Sequence, residues 1–335
     1  MGKSLKDIKF SVLDLAPIVQ GSNPGESFKN SLELASHAEK WGYHRYWVAE
    51  HHSMPGIASS ATSVLIGYIA GGTKKIRVGS GGIMLPNHSP LVIAEQFGTL
   101  DAMYPNRIDL GLGRAPGSDQ LTARALRRNN QSDGSDFPDQ LDELRQYLKP
   151  YEETYLRVRA IPGEGTNIPI WLLGSSGFSA KLAGELGLPF AFASHFSPDY
   201  TKPAIEIYKQ SFKPSNVLEK PYIMVGVNVL AAETDERAHY LATSSQQQFL
   251  SLIRGNPTQV KPPVENMDEL WNAHEKAVVY QQLKASIIGS KETVERKLSF
   301  FLEETQADEM IVNTQAFSQE DRLKSYEILQ SIVMS

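Results

Sequence analysis

Eight short apolar segments, each followed by a stretch with helical periodicity, run along the 335-residue chain. The segments do not alternate strictly between apolar and polar residues, as expected of parallel strands covered on both faces. Eight such units are too many for a small open sheet and match a closed barrel. The sequence therefore predicts an α/β protein, a (β/α)₈ TIM barrel formed by residues 1–335 as one domain.

The first unit shows the pattern on which the other assignments rest. An apolar run at 10–15 precedes a stretch in which Phe28, Leu32 and Ala35 recur at helical spacing, and Gly42 can end that helix. The predicted strands lie at 10–15, 46–49, 107–112, 170–173, 189–193, 222–231 and 310–313, and the third opens at 76–79 and ends near 85–86. The predicted helices lie at 28–38, 59–71, 90–103, 138–148, 180–186, 198–212, 234–252 and 319–333.

Three segments interrupt this alternation. Residues 114–135 are polar and rich in Arg, Asn, Ser and Gly, which predicts a long loop. Residues 149–168 form a less regular connector that could hold a small hairpin. Residues 255–290, with several Pro and Gly, predict an insertion between units seven and eight. Long insertions often act as lids, and the alternative is a surface segment with no role.

A doubly wound sheet divided over two domains is the alternative architecture. Its first strand should be followed by a complete GxGxxG motif, and the chain has none at that position. No clear linker divides the sequence in half. Both observations favour the barrel.

Composition limits the possible functions. The chain has 33 Lys and Arg against 38 Asp and Glu, a net charge of −5, and no Cys. Disulfides, thiolate nucleophiles and Cys-ligated zinc are therefore excluded, and the acidic excess disfavours nucleic acid or anionic lipid as a partner. No uncharged apolar run approaches the roughly 20 residues of a membrane span, and the start lacks an apolar signal core. We expect a cytoplasmic protein.

In such barrels the functional groups lie at the C-terminal ends of the strands. Strand two ends in Glu50-His51-His52. Neighbouring residues on a strand point to opposite faces, so the two His side chains are poorly placed to share a metal ion, and no metal site is predicted. One His acting as a proton donor or acceptor fits better, and the alternative is that it only hydrogen-bonds a strand end.

Two glycine-containing turns point to a ligand. Gly81-Gly82 follows strand three, where a flat ring could approach the backbone or where the chain could simply form a β-bulge. Gly174-Ser175-Ser176-Gly177 lies before a helix, where amide groups and hydroxyls can bind an anion, and Arg114 could add a bidentate contact. Helix capping by Ser is an alternative compatible with that site. Flavin mononucleotide (FMN) has both the flat ring and the phosphate.

With these motifs the sequence resembles the bacterial luciferase-like monooxygenases, a family of flavin-dependent barrels. The stretches 47–52, 78–86, 94–101 and 106–114 carry the resemblance, which is most specific over residues 8–195. It implies an FMN-dependent monooxygenase that takes reduced FMN from a separate flavin reductase and forms a flavin peroxide with O₂. It also implies a small apolar substrate such as an aldehyde, alkane or sulfonate, and a homodimer.

The resemblance also assigns individual residues. His51 matches a histidine that assists proton transfer beside the flavin. Gly81 and Gly82 match a non-proline cis peptide beneath the flavin ring. Arg114, Ser175 and Ser176 match the groups that hold the phosphate.

Departures from the family pattern bear on light emission and leave the substrate open, but they do not affect flavin use. Gly113 stands where the light-emitting luciferase subunit has a reactive Cys, and Gly174 stands where it has an acidic residue. A second phosphate arginine has no clean match, although Arg127 or Arg128 could substitute. Light emission is therefore not expected. The alternatives are a deazaflavin-dependent hydride-transfer enzyme and a non-catalytic flavin-binding protein.

Overall fold

The computed structural model describes residues 2–115, 120–126 and 134–333. Eight parallel strand positions close a barrel, because the strand at the eighth position pairs with the strands at the first and seventh positions. The strands are β1 (Lys9–Asp14), β2 (Arg45–Val48), β3 (Arg77–Ser80), β4 (Ile83–Met84), β5 (Ile108–Gly113), β6 (Ile170–Gly174), β7 (Phe190–Phe192), β8 (Ile223–Ala231), β9 (Ile287–Gly289) and β10 (Glu309–Asn313). β3 and β4 share one barrel position beside β5, and β9 extends the sheet from the end of β8.

Helices follow the strands on the outside of the barrel. Their ends show the expected local chemistry: the Asn23 side chain caps the first helix, and Gly187 ends the sixth in the left-handed conformation at φ 62°. The helices are α1 (Pro24–Lys40), α2 (Thr62–Gly72), α3 (Pro90–Met103), α4 (Gln120–Leu126), α5 (Phe137–Leu148), α6 (Gly177–Leu186), α7 (Thr201–Ser211), α8 (Asp235–Ile253), α9 (Ala273–Leu283), α10 (Lys291–Thr305) and α11 (Gln319–Val333).

Six barrel strands (β1, β2, β6, β7, β8 and β10) divide their side chains between two cores. On β2, Tyr46 and Val48 belong to the large core between strands and helices, whereas Trp47 belongs to a small core inside the barrel. Leu13, Trp171 and Ile311 lie inside the barrel with Trp47. This period of two follows from the pleat of a β-strand. It determines which side chains of each strand reach the barrel axis.

Buried charges occupy the N-terminal end of the barrel interior. Arg45 donates to Asp109 at 2.7 Å and to Glu309 at 3.0 Å, and its guanidinium carbon lies 4.7 Å from the centre of the Trp171 ring. The pKa of Arg45 is raised because these two carboxylates outweigh the effect of burial. This end of the barrel is therefore filled by protein groups.

The predicted barrel is confirmed, and each predicted strand overlaps an observed one. The prediction of a loop over 114–135 is wrong at α4, whose helix-forming residues have an exposed rather than amphipathic pattern. No strand occurs in 149–168, so the hairpin is absent there. α10 was not predicted, although Val294, Leu298 and Leu302 recur at helical spacing on its buried face.

Residues 255–290 lie between α8 and α10 and contain α9 and β9. Val260 forms a parallel bridge with Val19, which attaches the segment to the loop after β1. The lid function stays a prediction. No helix within the described ranges is both long enough and apolar enough to cross a membrane.

Candidate active site

A cavity of about 370 Å³ opens at the C-terminal ends of the barrel strands. The inward positions of the strands supply its walls. On β2 and beyond it these are Trp47, Ala49 and His51, and on the β7 side they are Ala191, Ala193 and His195. Since the opposite end of the barrel is filled by the Arg45 cluster, the cavity lies where (β/α)₈ enzymes carry their active sites.

Of the three polar residues that follow β2, His51 alone lines the cavity. Its backbone N–H donates to the carbonyl of Ser59. Burial lowers the pKa of the His51 imidazole, and the nearby Glu50 offsets this in part. The side chain is therefore mainly neutral at neutral pH and can accept or donate a proton.

Glu50 is buried and connects the end of β2 to the segment after β4. Its carboxylate accepts hydrogen bonds from His52 Nε2 at 2.8 Å, from His88 Nε2 at 2.9 Å and from the Met84 N–H at 2.9 Å. Burial opposes ionisation of this group, but the hydrogen bonds outweigh it and lower the pKa of Glu50 to about 2. The His52 side chain is thus bound to Glu50, whereas the neighbouring His51 lines the cavity.

The Gly81–Gly82 peptide is cis, as the family resemblance implies. A Cβ on Gly81 would lie 2.8 Å from Leu13 Cδ1, and one on Gly82 would lie 2.8 Å from the Gly111 carbonyl oxygen. The backbone contact therefore requires glycine at position 82, whereas a side chain at position 81 would displace that of Leu13. Gly81 lines the cavity, whereas Gly82 lies against β5.

The predicted anion-binding residues Arg114, Ser175 and Ser176 all line the cavity. Ser176 is the N-cap residue of α6, but its hydroxyl makes no capping hydrogen bond, so simple capping does not account for it. The Arg114 guanidinium carbon lies 4.2 Å from the centre of the Phe178 ring, in the first turn of the same helix. A cation and a helix N-terminus thus meet at one place. Arg127 and Arg128 lie outside the described residues.

Several further polar residues line the cavity and were not predicted as site residues, among them His195, Asn228 and Asn313 at the ends of β7, β8 and β10. His195 is 8% exposed, and its Nδ1 has no hydrogen-bond partner within the described ranges. Burial lowers its pKa to about 4. Asn313 Nδ2 donates to Asn228 Oδ1 at 3.0 Å. The period of two along β7, β8 and β10 is the signal that could have identified all three.

No group of three or more His, Asp or Glu side chains within the described ranges is arranged to hold a metal ion. Apart from the two histidines, Arg114 is the one ionisable side chain among the described residues that line the cavity. The remaining wall is mostly apolar and includes Leu13, Leu15, Met54, Ile57, Phe249 and Leu252. Such a site suits a flat aromatic ligand with one anionic end.

Comparison with known proteins relates the chain to one family. The family model described as luciferase-like monooxygenase matches residues 8–309. The chain is 55% identical to a luciferase-like monooxygenase of Escherichia coli (strain K12) over 327 residues, which cover 98% of this chain and 97% of that protein. It is 33% identical to the N-acetyl-S-alkylcysteine monooxygenase of Bacillus subtilis (strain 168) over 333 residues, covering 98% and 99%.

Solved structures share the fold. Apo-MsnO8 superposes with a TM-score of 0.87 at 34% identity, covering 98% of each chain. The oxygenating constituent of 3,6-diketocamphane monooxygenase of Pseudomonas putida, in complex with FMN, has a TM-score of 0.72 at 18% identity and covers 98% of each chain.

Proposed function

The chain belongs to the luciferase-like monooxygenase family, and on this premise we propose that it is an FMN-dependent monooxygenase that uses reduced FMN and O₂. The observation that carries the proposal is the meeting of Gly81, His51, Arg114 and Ser175–Ser176 on one cavity. These groups match the three parts of FMN: a flat ring, a reacting edge and a phosphate. FMN, when bound, supplies the redox chemistry with O₂ that no side chain can provide.

The residues of this chain bind and orient that cofactor. Arg114 and the first turn of α6 would hold the phosphate, because a guanidinium and free amide groups both favour an anion. Gly81 leaves the ring free to approach the backbone. His51 would hold or release a proton at its imidazole beside the ring. The apolar wall excludes water, and the segment 255–290, which contributes Pro257 and Thr258 to the cavity, would act as the lid.

The substrate in this proposal is small and largely apolar. Small aldehydes, alkanes and sulfonates meet this size requirement. The relative that acts on an N-acetyl-S-alkylcysteine adds a thioether to the candidates. Oxygen transfer to any of these needs a site without bulk water, as this cavity offers.

We also infer a cytoplasmic homodimer supplied with reduced FMN by a separate flavin reductase. α2 exposes Val64 and Tyr68, and the neighbouring α3 exposes Val92 and Met103. Exposed apolar side chains on adjacent helices favour an interface between copies. Sedimentation of wild type and of Val64→Arg tests this, with a shift to monomer expected for the variant. A monomeric wild type would contradict it.

Cofactor affinity is the first test. Arg114→Ala should weaken FMN binding roughly tenfold to hundredfold, since it removes a charged hydrogen bond, and should weaken riboflavin binding less than about threefold. Titrations followed by flavin fluorescence measure both. Arg296→Ala, an exposed arginine on α10, is the control and should change neither affinity. Equal losses for the two ligands would remove Arg114 from the phosphate site.

Turnover is the second test. When reduced FMN, O₂ and a thioether are mixed with the protein, we expect about one sulfoxide to form for each reduced FMN that is consumed. Tight FMN binding without any oxygenated product from a substrate panel would instead identify a flavin-binding protein. Tighter binding of a deazaflavin than of FMN would identify a hydride-transfer enzyme.

A further inference from the structure

We propose that Asn228 and Asn313 form a binding site for a secondary amide, so that the substrate of the proposed monooxygenase carries an uncharged N-acyl group on an apolar body. This inference rests on the proposed function and deepens it, because it names the substrate class. The two carboxamides line the cavity at the ends of β8 and β10, and they are joined by one hydrogen bond of 3.0 Å.

The hydrogen bond between them leaves a defined pair of groups for a ligand. With Asn313 Nδ2 donating to Asn228 Oδ1, the amide nitrogen of Asn228 and the oxygen of Asn313 remain. If both carboxamides are turned over, the bond reverses, and the nitrogen of Asn313 and the oxygen of Asn228 remain instead. In both cases one amide nitrogen and one amide oxygen are left wholly without a protein partner in the described part of the chain, in addition to the second N–H and the second lone pair of the two bonded groups, so this wall offers a ligand both a donor and an acceptor. A secondary amide presents the matching acceptor and donor.

The place of this pair in the barrel suits a substrate. β8 is four strand positions from β3, and β10 is four from β5, so the pair lies across the barrel from Gly81 and Gly113. A flat ring resting on Gly81 would have its other face toward the two carboxamides. A ligand bound there would lie between the ring and the β8–β10 wall.

The charge of the wall selects a neutral group. His195 on the neighbouring end of β7 is buried, and burial keeps its imidazole neutral at ordinary pH. Among described lining residues the cation is Arg114, which lies at the end of β5 across the barrel. A carboxylate or sulfonate against the two carboxamides would therefore lose its hydration without gaining a counter-charge. A plain alkane would leave the donor and the acceptor unpaired.

Binding of matched probes tests the assignment. The probes are N-hexylacetamide, its ester analogue hexyl acetate, and N-hexyl-N-methylacetamide, and their affinities are measured by calorimetry on the protein with oxidised FMN and without FMN. We expect the secondary amide to bind about tenfold more tightly than either analogue, because each analogue leaves the acceptor of the pair without a donor. No binding, or equal binding of the three probes, would overturn the proposal.

Two variants locate the preference. Asn228→Leu combined with Asn313→Leu should abolish the preference for the secondary amide, because it should weaken binding of the amide probe about tenfold and leave binding of the ester probe unchanged. Asn228→Asp keeps an oxygen that accepts from Asn313 but replaces the outward donor with an acceptor, and it should weaken the amide likewise. This second variant covers the case in which the double variant does not fold. Gln248→Leu, which removes a cavity carboxamide contributed by α8, is the matched control and should keep the tenfold ratio.

The FMN measurements separate this proposal from the preceding one. If the Leu pair weakened FMN tenfold and kept the preference for the amide probe, the carboxamides would serve the flavin, and the substrate assignment would be overturned. If wild type failed to bind FMN but still preferred the amide without it, the cofactor proposal would fail while the amide site stood.

Discussion

His51 and His52 show how much depends on one position along the chain. His51 lines the cavity, whereas His52 donates to buried Glu50 at 2.8 Å. The two side chains are chemically identical, and their different surroundings after the end of β2 separate a proton-transferring candidate from a structural group. The family resemblance selects His51.

Replacing His51 should separate catalysis from binding. We expect His51→Ala to lower product formation at least about a hundredfold, the size of a lost general acid or base, while FMN affinity changes less than about threefold. Stopped-flow turnover and flavin titration measure the two. His52→Gln, which can still donate to Glu50, is the control and should lose much less activity. Equal losses of turnover and FMN affinity in His51→Ala would make the residue a ligand contact only.

At the scale of elements, contacts of individual residues position the strand ends that form the cavity. The Glu50 carboxylate connects the end of β2 to β4 through the Met84 N–H. Gly226 on β8 leaves room for His195, which follows β7. A Cβ on Gly226 would clash with His195 Nδ1. The glycine is therefore a condition for the position of the histidine.

Gly226→Ala should destabilise the protein by about 1–3 kcal/mol, as expected of overpacking in a filled site. In the His195→Ala background, Gly226→Ala should cost much less stability than it does in the wild type, because the clashing imidazole ring is gone. Urea unfolding of the four proteins in this cycle measures the coupling. Additive effects would show that the two residues do not restrain each other.

Glu50 gives a pH dependence with a definite sign. Its folded pKa of about 2 lies below the ordinary carboxyl value, so its stabilising effect is complete above about pH 4.5 and is lost as the pH falls toward 2. Glu50→Gln should therefore destabilise by about 1–3 kcal/mol at pH 7 and by progressively less between pH 4.5 and 2. Urea unfolding across that range measures the difference. A difference independent of pH would contradict the ionised state of Glu50.

At the scale of the whole molecule, the two ends of the barrel have different tasks. The N-terminal end holds Arg45 between Asp109 and Glu309, whose carboxylates are fully buried and come from β5 and β10. The C-terminal end holds the cavity. Stability and ligand binding can therefore change independently.

Arg45→Met should lower the free energy of unfolding by about 3–5 kcal/mol, because it leaves the buried Glu309 carboxylate without its arginine, whereas Asp109 keeps its ion pair with Arg77. FMN affinity, measured well below the melting temperature, should stay within about threefold of wild type. Arg254→Met breaks an ion pair with Glu275 in which the arginine is 49% exposed, and this control should leave the free energy of unfolding nearly unchanged. A loss from Arg45→Met as small as that of the control would refute the role of the cluster.

The sequence by itself determined the alternation of eight strands and helices, because apolar periodicity and turn residues are local properties. It also determined that glycines and serines occur where a flat, phosphorylated ligand could bind. It did not reveal α4, whose exposed residues follow no buried period, although local propensity allows a helix.

Only the tertiary structure decided which polar groups share the cavity. Asn228 and Asn313 are 85 residues apart and meet because β10 pairs with β8 when the barrel closes. His195 reaches the same cavity because β7 stands beside β8 and Gly226 has no side chain. The period of two could place each of these residues on the inward side of its own strand, but contacts between distant residues depend on closure and register, which no local pattern encodes, so only the fold brought them together.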